Sequence, residues 1–168
     1  MLGVLLTGSA SRKAADSTSS RQISVKVDGM SCPFCAYGLE KRLKKIEGTK
    51  KVIIYIDKGQ AILRLKDNAS LDTRAVMEAV KKGGFTPRKI TITAVGKVNK
   101  ENERWVFHPK GTDDVFLLFE NNELKNIYKS KNLNKDILLT GATLSENLQG
   151  HGKHPEILEI QDYRLIDQ

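Results

Sequence analysis

The chain has 168 residues, 39% hydrophobic and 29% charged, a composition that excludes collagenous, low-complexity and membrane-embedded classes. No apolar run approaches the roughly 18 to 20 residues that cross a bilayer as a helix, so no transmembrane segment is expected. The net charge of +8 is unevenly spread: residues 1–21 carry +2, residues 22–90 carry +8 and residues 91–168 carry −2. A basic segment suits an acidic partner or plain solubility, and charge alone names no partner.

Residues 1–21 open with a short apolar block, Leu2 to Leu6, followed by Gly8-Ser9-Ala10 and a Ser-rich stretch. The small-residue site of a secretory signal is present, but the basic n-region is missing and the apolar region is short. The segment reads as a truncated signal peptide, with translation starting upstream and the product exported to the periplasm. The alternative is a disordered tail on a cytoplasmic protein.

Ile23, Val25 and Val27 alternate with polar residues, the period-two pattern of a half-buried strand ending at Asp28-Gly29. Ala36, Leu39, Leu43 and Ile46 then recur at spacings of three and four, one face of a helix that stops at Gly48. Val52, Ile54 and Ile56, the turn Asp57-Lys58-Gly59, and Ala61, Leu63 and Leu65 form a hairpin. Ser70 and Asp72 offer an N-cap for a second helix carrying Val76, Ala79 and Val80, stopped by Gly83-Gly84, and Thr86 to Ile90 resume extended structure. The order β-α-β-β-α-β predicts an α+β, ferredoxin-like domain over residues 22–90, with both helices on one face of an antiparallel sheet.

No Pro/Gly/Ser linker follows Ile90, so a second domain, residues 91–168, begins at once and touches the first. Strands are predicted through Ile92, Ala94 and Val98, at 105–108, 115–119, 137–144 and 156–166, with a short helix at 123–128. Five strands with a helix between the third and fourth resemble, by topology alone, a small OB-like β-barrel.

The chemistry concentrates at Cys32-Pro33-Phe34-Cys35, between the first strand and the first helix. Unpaired N–H groups and the dipole at a helix N-terminus favour anions, which makes thiolates of Cys32 and Cys35 available near neutral pH. Thiolates select soft or borderline ions: Cu(I), Hg(II), Zn(II) and Cd(II). Two ligands alone suit linear Cu(I) or Hg(II), whereas structural Zn(II) wants four, and residues 22–90 contain no third cysteine and no histidine.

The run Gly29-Met30-Ser31-Cys32-Pro33-Phe34-Cys35 resembles the G-M-x-C-x-x-C loop of the heavy-metal-associated domain family of copper chaperones, metal-pump N-terminal domains and periplasmic mercury-binding proteins. The resemblance covers residues 22–90. It implies reversible capture of a metal ion by Cys32 and Cys35, handover to a metal-transport protein or other donor or acceptor by thiolate exchange, and no enzymatic turnover. It also implies that Met30 packs inward and that Phe85 lies in the second metal-facing loop. Pro33-Phe34 is bulkier than the residues many relatives place between the cysteines.

Two rival readings use the same residues differently. Cys-Pro-aromatic-Cys, with Thr86-Pro87 as a would-be cis-proline, suggests a thiol-disulfide oxidoreductase, but a hairpin directly after the first helix does not suit that fold. The OB-like half suggests single-stranded nucleic-acid binding through Trp105, Phe107, Phe116 and Phe119, but its net negative charge argues against a phosphate groove, so no nucleic acid is expected. Lys41, Arg42, Lys44, Lys45, Lys50 and Lys51 read as a soluble face, with docking of an acidic partner as the alternative. His151 and His154, in the loop between the last two strands, are the remaining candidate metal ligands, and His108 reads as structural.

Overall fold

The computed structural model describes residues 21–144 and 155–166. In chain order the elements are β1 (Gln22–Asp28), α1 (Pro33–Leu43), β2 (Thr49–Tyr55), β3 (Gln60–Leu65), α2 (Thr73–Lys82), β4 (Thr86–Glu101), β5 (Arg104–Pro109), β6 (Phe116–Leu118), α3 (Asn122–Lys129), β7 (Ile137–Thr143) and β8 (Ile157–Leu165). Every strand and helix expected from periodicity is present. The signal-peptide reading rests on residues 1–20, outside the described residues.

The strands form one mixed sheet in the order β2-β3-β1-β4-β5-β6-β8-β7, and an additional β4–β7 pairing closes the last five strands into a ring. All ladders are antiparallel except β6–β8. The first half has the expected ferredoxin-like order, with α1 and α2 packed against each other.

One feature departs from the sequence reading. The strand expected to end at Ile90 runs on to Glu101 as β4, 16 residues in all and roughly 50 Å of extended chain at about 3.3 Å per residue. Its first part pairs with β1 (Val25↔Ile90, Ile23↔Ile92), and its later part pairs with β5 and β7. Position 90/91 therefore lies inside a strand that the two halves share. Ile90 and Ile92 are buried, and further along the same face Ala94 and Val98 are buried too. One strand face thus serves both the helix-covered layer and the ring.

The core is accordingly one cluster, from Ile23, Leu39, Leu43, Leu63, Val76 and Val80 through Ile92 to Phe107, Leu124, Ile127 and Leu139. Each such side chain contributes about 1.5 to 3 kcal/mol by leaving water. Gly96 lets β4 and β5 approach, because a Cβ there would collide with the His108 carbonyl and the Phe107 ring. In α1 the stripe Ala36, Leu39 and Leu43 is buried as its spacing predicts, but the helix ends at Leu43 and turns carry the chain to Gly48 at φ +77°. Asp72, rather than Ser70, caps α2, accepting from the Ala75 amide at 2.8 Å.

Candidate metal site

β1 delivers the chain to Gly29, whose φ of +89° turns it out of the sheet at little steric cost. Met30 follows and is 5% exposed, so it packs inward as the motif implied. Cys32 is the N-cap of α1, in extended conformation, and Pro33 occupies the first turn, where a missing N–H costs nothing. The Cys35 amide donates to Cys32 Sγ at 3.1 Å, and the Ala36 amide to the Cys32 carbonyl at 3.1 Å. Sulfur thus takes the place usually filled by a serine or aspartate oxygen, where the helix dipole favours negative charge.

The structure joins Cys32 and Cys35 in a disulfide, with Cα atoms 5.2 Å apart. The cysteine pair is thus in its oxidised form, and a two-electron reduction would free the two thiolates expected from the sequence. Both cysteines are half-buried where the loop enters α1, beside exposed Ser31 and Pro33. Phe34, between them, is 88% exposed, and Tyr37, one turn on, is 55% exposed.

The loop is walled by the exit of α2, where the half-buried Phe85 ring lies beside Gly29 and Gly83. Phe85 also packs on the core. At the base, Asp28 Oδ2 accepts from Arg88 Nε at 2.6 Å, but both side chains are more than half exposed and the pair adds little stability.

The other candidates fall elsewhere. Lys41 and Arg42 at the end of α1 and Lys44 and Lys45 just after it are exposed; Lys41 sits 4.6 Å from the Tyr37 ring centroid and Lys44 pairs with Glu40 at 2.5 Å. Phe107 and Phe116 are buried and Trp105 stacks on Tyr128 at 5.1 Å, which leaves only Phe119, 51% exposed, of the four aromatics considered for base stacking. Pro87 follows a trans peptide bond. His108 pairs with Glu101 at 2.8 Å. His151 and His154 lie outside the described residues.

Sequence reasoning missed a polar seam between the two halves. Arg21, assigned to the N-terminal tail, is 4% exposed; it donates to Ala69 O at 2.6 Å and to Lys110 O, and sits 3.9 Å from Asp114. Burial lowers its pKa, with Asp114 and Asp67 opposing. Asp114 accepts from Ser70 Oγ at 2.6 Å and from the Leu71 amide at 2.8 Å, so the loop before β6 holds the turn before α2. Thr73 donates to Glu156 Oε1, while Glu156 Oε2 is buried with no hydrogen-bond partner among the described residues. Desolvation raises the Glu156 pKa; the Thr73 hydroxyl and Arg74 oppose this, and Asp72 and Asp114 reinforce it. No local spacing signals these pairs, since their members lie more than 40 residues apart.

No protein-family model and no curated protein sequence matches the chain. Among solved structures, it is similar to a copper-binding domain from HMA7, a P-type ATPase (25% identity, 40% of this chain and 90% of that chain, TM-score 0.37). It is similar as well to the CopZ metallochaperone (24%, 40% and 98%, 0.37) and to oxidized MerP from Ralstonia metallidurans CH34 (24%, 40% and 92%, 0.36). Over two fifths of its length the chain resembles heavy-metal-associated domains, and the cysteine pair of that loop is present as Cys32 and Cys35.

Proposed function

We propose that the reduced chain binds one soft metal ion, Cu(I) or Hg(II), between the thiolates of Cys32 and Cys35 and passes it to a metal-transport partner without catalysing a reaction. The observation that carries this reading is the pairing of two sulfurs at the N-terminus of α1, one already accepting the Cys35 amide, on a loop that reaches the surface. Two thiolates favour a two-coordinate soft ion. An ion with so few ligands stays open to a third thiolate, so it can move by stepwise exchange. The metal here is cargo, and Zn(II) or Cd(II) would need further donors. The disulfide suits an oxidising, exported location such as the periplasm.

We read the ring β4-β5-β6-β8-β7 as an OB-like barrel, on the strength of its pairing order, its parallel β6–β8 ladder and α3 between β6 and β7. The net negative charge of residues 91–168 and the burial of Phe107 and Phe116 weigh against nucleic acid as its ligand. A hairpin directly after α1, with no β-α-β crossover, weighs against the oxidoreductase reading.

The test is anaerobic competition titration of the reduced, full-length chain with Cu(I), Hg(II) and Zn(II) against chromogenic chelators. One equivalent of Cu(I) or Hg(II) should bind tightly, and Cys32→Ser and Cys35→Ser should each abolish this while leaving the circular dichroism unchanged. Stoichiometric tight binding by both variants would refute the reading.

A further inference from the structure

Among the described helices, α1 alone turns aromatic rings to the solvent. Phe34, Tyr37 and Lys41 step by three and four residues along the side opposite its buried Ala36, Leu39 and Leu43. Phe34 is the most exposed large apolar side chain among the described residues. Lys41 Nζ lies over the Tyr37 ring, so rings and cations make one continuous surface. Arg42 and, in the turn after α1, Lys44 and Lys45 extend it, and with Lys41 and Gly38 they line a shallow depression.

No exposed residue from Pro33 to Lys45 is acidic, because Glu40 is half-buried and paired with Lys44. The other helices differ. α2 exposes Glu78 in an ion pair with Lys82 and carries no aromatic residue, and α3 stacks its Tyr128 on Trp105. Solubility calls for mixed charges and few outward rings, so it does not account for the α1 face. Residues 22–90 carry +8 and residues 91–168 carry −2, a division that turns the basic half toward an anionic plane.

We propose that the outward face of α1, with the turn after it, docks on an anionic phospholipid bilayer. Phe34 and Tyr37 enter the headgroup region, and Lys41, Arg42, Lys44 and Lys45 meet lipid phosphates. An acidic protein would match the charge but would have to present a fitted socket for each projecting ring, whereas the bilayer interface accepts aromatic rings at any spacing. A helix face with rings on its surface and lysines beside them lies in the membrane plane. Since Cys32 and Cys35 sit at the start of α1, docking lays their loop on the membrane surface. Handover of a metal ion to a membrane-embedded transporter at that surface rests on the metal-binding reading; the docking itself does not.

Vesicle co-sedimentation of the full-length, oxidised, metal-free chain tests this, so that its failure leaves the metal-binding reading standing. Vesicles of phosphatidylcholine and phosphatidylglycerol in equal parts should bind the chain, and vesicles of phosphatidylcholine alone should not. Phe34→Ala should weaken binding by more than about fivefold with the far-UV circular dichroism intact, and Lys41→Glu with Lys45→Glu by more than about tenfold. Lys97→Glu with Lys129→Glu, the same charge change at exposed positions of the acidic half, should leave most of the binding in place. Soluble polyglutamate should bind more weakly than the anionic vesicles. Absence of binding to anionic vesicles, indifference to Phe34→Ala, an equal loss in the Lys97→Glu, Lys129→Glu control, or polyglutamate binding as tight as that to vesicles would each overturn the proposal, the last in favour of an acidic protein.

Discussion

Replacing Asp114 with alanine removes, in one step, the carboxylate that holds the turn before α2 and neutralises Arg21. Three donors lose a charged acceptor: Ser70 Oγ at 2.6 Å, the Leu71 amide at 2.8 Å and Thr112 Oγ1 at 2.9 Å. The exposed Ser70 hydroxyl recovers a water, whereas the half-buried pair loses more, since the Arg21 and Asp114 side chains are 5% and 19% exposed. Arg21 keeps the carbonyls of Ala69 and Lys110, so the full penalty of a stranded buried charge is not incurred. A hydrogen bond to a charged group contributes about 1.5 to 3 kcal/mol and breaking a buried ion pair costs about 3 to 5, which brackets the expected loss at about 3 kcal/mol. For a chain of this size that lowers Tm by roughly 6 to 12 °C. Urea unfolding followed by Trp105 fluorescence, which reports the ring, and by far-UV circular dichroism should shift by the same amount, because β4 belongs to both halves. A loss under about 1 kcal/mol, or a shift seen by one probe alone, would refute the claim that the seam and the shared strand make one cooperative unit.

Other perturbations read other parts of the structure. Burial raises the Glu156 pKa, so its neutral carboxyl is favoured in the folded chain: that contribution is complete below the unfolded-state pKa and is lost as pH rises through the folded-state value. Glu156→Gln, which still accepts from Thr73, should therefore raise Tm at pH 7.5 relative to wild type and flatten the pH dependence of Tm; an unchanged slope would show that another group governs it. Leu39→Ala, at a fully buried α1 position, should cost about 2 to 5 kcal/mol in chemical denaturation. Gly96→Ala should cost more than the 1 kcal/mol or so of a typical substitution, because the new methyl meets the carbonyl of the neighbouring strand; a neutral result in thermal melts would show that β4 and β5 can separate there. Insulin-reduction assays should show no turnover above a free dithiol, and sustained catalysis would favour the oxidoreductase reading.

The first half was legible because its signals are local. Period-two alternation at Ile23, Val25 and Val27, the three-and-four spacing of Ala36, Leu39 and Leu43, and the Asp57-Lys58-Gly59 turn each depend on neighbours within one element. The placement of two cysteines between a strand and a helix start is equally local, so the candidate site could be named from a few residues. The extent of β4 was less legible. Its alternation continues past Ile90 without a break, and only knowledge of what lies on either side tells whether such a strand ends or is shared. Arg21 was misjudged for a related reason: an arginine after a Ser-rich stretch looks solvated until Ala69, Lys110 and Asp114 are brought around it.

Chain order, element type, the buried faces and the sulfur-bearing loop were determined by the amino-acid sequence alone, since short-range periodicity and backbone preference act before distant residues meet. Tertiary structure alone decided that one strand joins both halves and that a buried arginine, with Ala69, Lys110 and Asp114 around it, seals them. Those outcomes depend on which surfaces meet across 40 or more residues of chain, a matter of packing geometry that no local pattern encodes.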